Sequence, residues 1–374
     1  MPSARASLLV LLVSLGCSSK PLEDEGPLAP AQVSPEHAQL MQVFQAPVGF
    51  SATALAWNPN RAGELWITLR KPPNDLPCTE DVQLGCSDKI GVVAQLFEGK
   101  SVIKQDGNGW HFLRLPTGIS FGDNGNLGTC GEARTDNYDD DPTDYAGPVL
   151  WSADPSIFGA KPQPGQNGTH LDMLHATPFC MGIAHDRDNA YFTFNGQIGS
   201  IDWYNFNQPH VIGGEDHTDG ELKRYVTGAL SRVPGIPSHL AFDRAKNQLY
   251  IADTGNGRIA QLDTTSGQRD GDVIAYDPIK VRWNMSDAML VDWVPRGVVA
   301  VPSGLALEGS ALWVTDNADG RLLKFDANGT LSRILQTDLP AGALAGVAVS
   351  PSGALHVSDL LTGSVYEVHT DGND

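Results

Sequence analysis

A motif that recurs through the second half of the chain restricts its fold more than any other feature. Pro237-Ser-His-Leu-Ala-Phe-Asp…Tyr-Ile-Ala-Asp253-Thr-Gly-Asn-Gly257 superimposes on Pro302-Ser-Gly-Leu-Ala-Leu…Trp-Val-Thr-Asp316-Asn-Ala-Asp-Gly320. Leu344-Ala-Gly-Val-Ala-Val…His-Val-Ser-Asp359-Leu-Leu-Thr-Gly363 is a third copy. Each has an alternating strand, a turn, and a second strand ending in Asp, with Gly four residues on. Alternation sends successive side chains to opposite sheet faces. Weaker copies start near Met181, Thr117 and Thr53, so one small-residue slot holds Ala54, Gly118, Gly182, His239, Gly304 and Gly346. Several short strands per unit, with a shortest spacing of roughly 42 residues, are the pattern of a propeller. Six copies predict an all-β, six-bladed β-propeller. The last copy ends soon after a third strand at Val365–His369, so the N-terminal segment around Gln39–Pro47 is expected to supply the fourth and close the ring.

The segment Leu249-Tyr-Ile-Ala-Asp253-Thr-Gly-Asn-Gly257-Arg258-Ile259 resembles an NHL repeat. The resemblance is strong over 236–369 and weak before it. It implies the fold of the six-bladed group that includes the peptidylglycine amidating lyases and the gluconolactonase-like proteins. Those lyases place zinc-binding histidines in Pro-His segments that open inner strands. The matching position here is Ser238, one residue before His239, and the other copies hold Thr53, Thr117, Met181, Ser303 and Ala345. A shift of one residue turns a side chain to the other sheet face. The lyase zinc site is therefore not carried over.

The net charge is −19, which opposes binding to nucleic acid or to anionic lipid headgroups. Residues 1–17 read as an export signal of the lipoprotein type. Arg5 precedes the apolar run Leu8–Val13, and Ser14-Leu15-Gly16 leads to Cys17, the lipidation site. A polar tether over 18–38, the propeller over 39–370 and a tail over 371–374 complete the expected layout. Such a chain sits on the bacterial cell envelope as a monomer, held to the membrane by its lipid alone, or is otherwise secreted. Export puts Cys78, Cys86, Cys130 and Cys180 in an oxidising space, where an even number favours two disulfides. Three pairings are open. Cys78–Cys86 closes a short loop, and the repeat alignment supports Cys130–Cys180.

In a propeller unit the first strand starts, and the second ends, at the same rim of the channel. On that rule the insertions 71–89, 131–148, 155–178, 207–235 and 267–301 gather on one face. Long loops over a channel mouth form the leading site for a small-molecule or peptide ligand. His239, the exception in the small-residue slot, is a candidate metal ligand or general base. His210-Val-Ile-Gly-Gly-Glu215-Asp216-His217-Thr-Asp219-Gly-Glu221 adds His210, His217, Asp216 and Asp219, a set that suits zinc, iron or manganese. His170 and His175 are further candidate ligands, whereas His185 within a strand reads as a packed histidine. Thr135-Asp136-Asn137-Tyr138-Asp139-Asp140-Asp141 offers alternate oxygens suited to calcium through Asp136 and Asp139. Asp253, Asp316 and Asp359 read as turn formers that bond backbone N–H groups. Three functions are compatible with these residues: a binding propeller holding a divalent ion (Zn or Ca), a metal-dependent lyase or hydrolase, and a protein-interaction scaffold without a metal.

Overall fold

A computed structural model describes residues 33–71, 91–135, 145–275 and 277–370. Cys17, Cys78, Cys86, Asp136 and Asp139 lie outside these residues. The chain is an all-β propeller. Strand β1 (Glu36–Gln45) is followed by β2 (Ser51–Trp57), β3 (Leu65–Arg70), β4 (Val92–Phe97) and β5 (Lys100–Lys104), which form the first meander. One helical turn, α1 (Gly109–Phe112), leads to the second: β6 (Pro116–Phe121), β7 (Asn126–Gly131), β8 (Val149–Ser152) and β9 (His170–Met173). The third is β10 (Cys180–Arg187), β11 (Ala190–Asn195), β12 (Ser200–Asn205) and β13 (Glu221–Tyr225). Then come β14 (Leu240–Asp243), β15 (Gln248–Asp253), β16 (Arg258–Asp263), β17 (Gln268–Asp272), β18 (Val281–Ser286) and β19 (Leu290–Val294). The chain ends with β20 (Pro302–Glu308), β21 (Ala311–Asp316), β22 (Arg321–Phe325), β23 (Leu331–Gln336), β24 (Leu344–Val349), β25 (Leu355–Asp359) and β26 (Ser364–Thr370).

The N-terminal strand closes the ring as expected. β1 runs antiparallel to β26, from Ala38↔Thr370 to Gln45↔Ser364. Its first residues also pair in parallel with β23, at Glu36↔Leu335 and His37↔Gln336, which joins β20–β23 and β24–β26–β1 into one eight-stranded sheet. By hydrogen bonding the described strands thus form five sheets. Strands β2, β6, β10, β14, β20 and β24 nevertheless line one cavity, through Leu55, Ile119, Ile183, Leu240, Leu305 and Val347.

The small-residue slot directly precedes this aliphatic ring, and its reason is steric. A Cβ on Gly182 would lie 2.2 Å from the Ser238 carbonyl oxygen, and one on Gly304 2.2 Å from that of Ala345. Backbones of adjacent units touch there. The residue before the slot supplies hydroxyls that tie unit to unit. Thr53 Oγ1 donates to the Pro116 carbonyl (2.9 Å), Thr117 Oγ1 to that of Cys180 (2.6 Å), and Ser303 Oγ to that of Pro237 (2.8 Å). The repeated Asp residues do what turn formers do. Asp253 accepts from the Ser231 N–H (2.8 Å), Asp316 from those of Ala300 and Val301 (2.9 Å each), and Asp359 from that of Leu361 (2.7 Å). The glycine four residues on adopts positive φ, 60° at Gly257 and 70° at Gly320, where a β-carbon is disfavoured.

The region 267–301 departs from the expected rim loop. It contains β17, β18 and β19, of which β19 completes the sheet of β14–β16. β18 instead runs parallel to β13 and extends the third sheet to six strands. An unpaired strand edge exposes a row of backbone donors and acceptors, and β18 satisfies the edge of β13. β17 is exposed throughout and carries Gln-Arg-Asp-Gly-Asp, so no hydrophobic alternation marked it as a strand.

Candidate metal centre

Period-two alternation in β9 puts His170 and Asp172 on one side of the strand. The segment 206–220, between β12 and β13, is zipped against it. The His210 N–H donates to the Leu171 carbonyl (3.1 Å), the Gly213 N–H to that of His170 (2.9 Å), and the Asn167 N–H to that of Gly213 (3.0 Å). Two glycines permit this approach. Gly213 has φ 67° and a Cβ there would meet the Asn167 nitrogen at 2.7 Å, while one on Gly214 would meet His210 Nδ1 at 3.0 Å. The loop therefore folds back and delivers His210 and His217 to Asp172.

Asp172, His210 and His217 each offer a ligand atom, and these atoms lie within 4.8 Å of one another. His217 Nδ1 is 2.7 Å from Asp172 Oδ1. His210 Nδ1 lies 2.7 Å from the Val211 carbonyl oxygen, to which only a protonated nitrogen can bond. The lone pair of His210 is therefore on Nε2. That Nε2 is buried without a hydrogen-bond partner, and so is Asp172 Oδ2. Asp172 is fully buried, and burial raises its pKa above the ordinary carboxylate value. Two orphaned acceptors within one cluster are costly without a partner. A cation held by the cluster would satisfy both.

Other imidazoles surround the three. His170, 1% exposed, stacks on Phe112 with ring centroids 3.7 Å apart and lies edge-on to His210 at 4.9 Å. Burial, then the neighbouring His210, lowers its pKa to about 3, so the ring is neutral. His175 borders His217 with centroids 6.3 Å apart. Its backbone N–H donates to Asp277 Oδ2 (2.6 Å) and its Nδ1 lies 3.0 Å from Asp277 Oδ1. A carboxylate on Nδ1 fixes the tautomer and the ring orientation.

Sequence reasoning named His210, His217 and His175, which the fold gathers. It did not name Asp172 or Asp277. The spacing His170-Leu-Asp172 in a strand was the available signal for Asp172. Asp216 and Asp219 stay in their turns: Asp216 accepts from the Thr218 hydroxyl (2.7 Å), and Asp219 from the Gln208 N–H (3.0 Å).

His239 does not meet this loop. Residues 206–220 join the third strand of a unit to its fourth, so they leave at the rim where β10 ends. There the Phe206 N–H donates to the Asn189 carbonyl (3.2 Å). His239 belongs to the opposite rim, beside Ser238, whose N–H donates to the Met181 carbonyl (2.9 Å). The segment 153–169 likewise joins β8 to β9 and does not directly precede a first strand. The insertions do not all fall on one face, because 155–178, 207–235 and 267–301 each contain a short fourth strand: β9, β13 and β19.

His239 lies inside the channel wall, with Nε2 2.9 Å from the Thr117 carbonyl oxygen. Burial lowers its pKa to about 4. Above pH 6.5 the ring is neutral in both the folded and the unfolded chain. Between 6.5 and 4 the unfolded chain takes up a proton that the folded one refuses, so stability falls as pH falls. The loss approaches on the order of 3 kcal/mol below pH 4. Urea unfolding from pH 7.5 to 4.5 is expected to show this slope, and His239→Gln to flatten it.

At the rim of His239 the described residues also include an ionic cluster. Arg70 at the end of β3 pairs with Glu132 after β7 (3.1 Å), and Glu132 also holds Arg232 and the Gly235 N–H (2.9 Å). A disulfide joins Cys130 to Cys180, as the alignment had indicated.

No protein-family profile and no curated protein matches the chain. Solved structures share its fold at low identity. An Agrobacterium tumefaciens calcium-binding protein, regucalcin, aligns with TM-score 0.52 and 10% identity over 91% of this chain and 96% of its own. A luciferin-regenerating enzyme aligns with TM-score 0.51 and 13% identity over 90% and 96%. A Bacteroides thetaiotaomicron protein of unknown function aligns with TM-score 0.54 and 10% identity over 90% and 76%. These likenesses extend to the fold and stop there.

Proposed function

We propose that this protein is an exported, lipid-anchored propeller of the bacterial envelope that binds a divalent ion of the zinc type through Asp172, His210 and His217. The observation that carries the reading is the pair of orphaned buried atoms, His210 Nε2 and Asp172 Oδ2, in one cluster. Two imidazoles and one carboxylate suit zinc, iron or manganese, whereas calcium prefers an all-oxygen set. Three protein donors leave a fourth position for water or for a small-molecule or peptide ligand. Export and anchoring rest on the signal at residues 1–17 and on Cys17.

The second reading is a metal-dependent lyase or hydrolase. It is favoured by the His175–Asp277 pair beside His217, which has the form of an oriented base. The scaffold reading has no comparable support in the described residues.

Elemental mass spectrometry of soluble protein beginning at Ser18, purified without added metal, tests the main reading. About one equivalent of transition metal is expected, falling below a tenth in His217→Ala. Metal-free wild-type protein that also fails to take up zinc on titration would refute it.

A further inference from the structure

The disulfide and the metal site hold the same two units together from opposite rims. Cys130 ends the second strand of the second unit and Cys180 opens the first strand of the third. Asp172 belongs to the second unit's last strand, and His210 and His217 to the third unit's last loop. One buried apolar cluster spans the distance between them. It contains Cys130 and Cys180, Leu174 beyond β9, and Phe206 and Leu222, which flank the ligand loop. Val273 and Ile279, on either side of Asp277, complete it. Contact across it is close: a Cβ on Gly220 would meet Leu174 Cδ2 at 2.7 Å. The connector from β9 to Cys180 is bonded to the third unit as well. Thr177 Oγ1 donates to Asp202 Oδ2 (2.7 Å), and the Ala176 carbonyl accepts from Arg224 (2.7 Å).

Resting on the metal reading above, we infer that oxidation of Cys130–Cys180 pre-organises the metal centre, so that the oxidised protein binds zinc more tightly than the protein without the disulfide. The reduced chain must order the junction of the two units when the ion binds, and the oxidised chain has ordered it beforehand. Packed cores pass such constraints on because they do not deform continuously. A coupling of roughly tenfold lies within the usual range for linked sites. The site would then load after the chain reaches an oxidising compartment.

The test is zinc affinity by competition with a chromophoric chelator, for oxidised wild-type protein and for Cys130→Ser/Cys180→Ser. The inference expects about one equivalent in both, with the variant about tenfold weaker. Equal affinities would overturn it. If the variant does not fold, hydrogen exchange on metal-free wild type before and after phosphine reduction decides. Faster exchange after reduction in 206–220 as well as in the Leu174–Cys180 connector supports the coupling, and a change confined to the connector refutes it. Zinc binding by neither form would remove the metal centre itself and the inference with it, an outcome that stoichiometry separates from a failed coupling.

Discussion

Asp172→Asn is expected to abolish zinc retention while leaving the metal-free protein at least as stable as the parent. The carboxylate is fully buried, accepts from His217 and Met173, and has no donor for Oδ2. Its raised pKa has burial as the first cause, so the charged form weakens the metal-free fold. For an acid shifted in this direction, metal-free stability grows as pH falls through the raised pKa. The amide keeps an oxygen for His217 and replaces the unpartnered Oδ2 with a donor. Toward the ion it is a neutral and poorer ligand. Even outer partners of metal ligands are worth about 10- to 100-fold in affinity, so losing a ligand should cost about a hundredfold or more. Thermal unfolding should show a crossing: the parent higher with zinc, the variant equal or higher without it. A variant that is equally destabilised in both conditions would mark Asp172 as a purely structural acceptor.

The second large effect is at the other rim. Glu132→Ala is expected to cost about 3–5 kcal/mol, the usual consequence of stripping the partner from a buried ion pair. Arg70 is 7% exposed, and burial already pulls its pKa down despite the attraction of Glu132. Without the carboxylate, the Arg70 guanidinium keeps the Gly235 carbonyl but no counter-charge among the described residues, and Arg232 loses Glu132 too. Asp123→Ala is the control. Its pair with Arg244 is half-exposed on both sides, and such pairs contribute about 1 kcal/mol or less. Chemical denaturation of the two variants checks the contrast.

The repeat made the fold legible because its spacing has a steric cause. Gly182 and Gly304 are small where backbones meet, and Leu55, Ile119, Ile183, Leu240, Leu305 and Val347 follow them around the cavity. Cys130 and Cys180 were readable for the same reason, since both sit at fixed places in the unit. The candidate site was only half legible. His210 and His217 stood out by composition, but their partner Asp172 belongs to a four-residue strand within a stretch that had no template in the repeat. His239 drew attention as an exception, yet its neighbourhood asks for a neutral, bonded ring and not for a ligand. β18 was invisible because one of its partners, β13, comes from a preceding unit and the other, β17, carries no hydrophobic alternation. Local pattern carries no information about that choice.

Zinc K-edge X-ray absorption on the oxidised protein loaded with one equivalent reads the ligand set itself. A shell of low-atomic-number donors near 2 Å is expected, with multiple scattering from two imidazoles that falls to one in His217→Ala. Scattering without an imidazole contribution, or a spectrum unchanged in that variant, would contradict it.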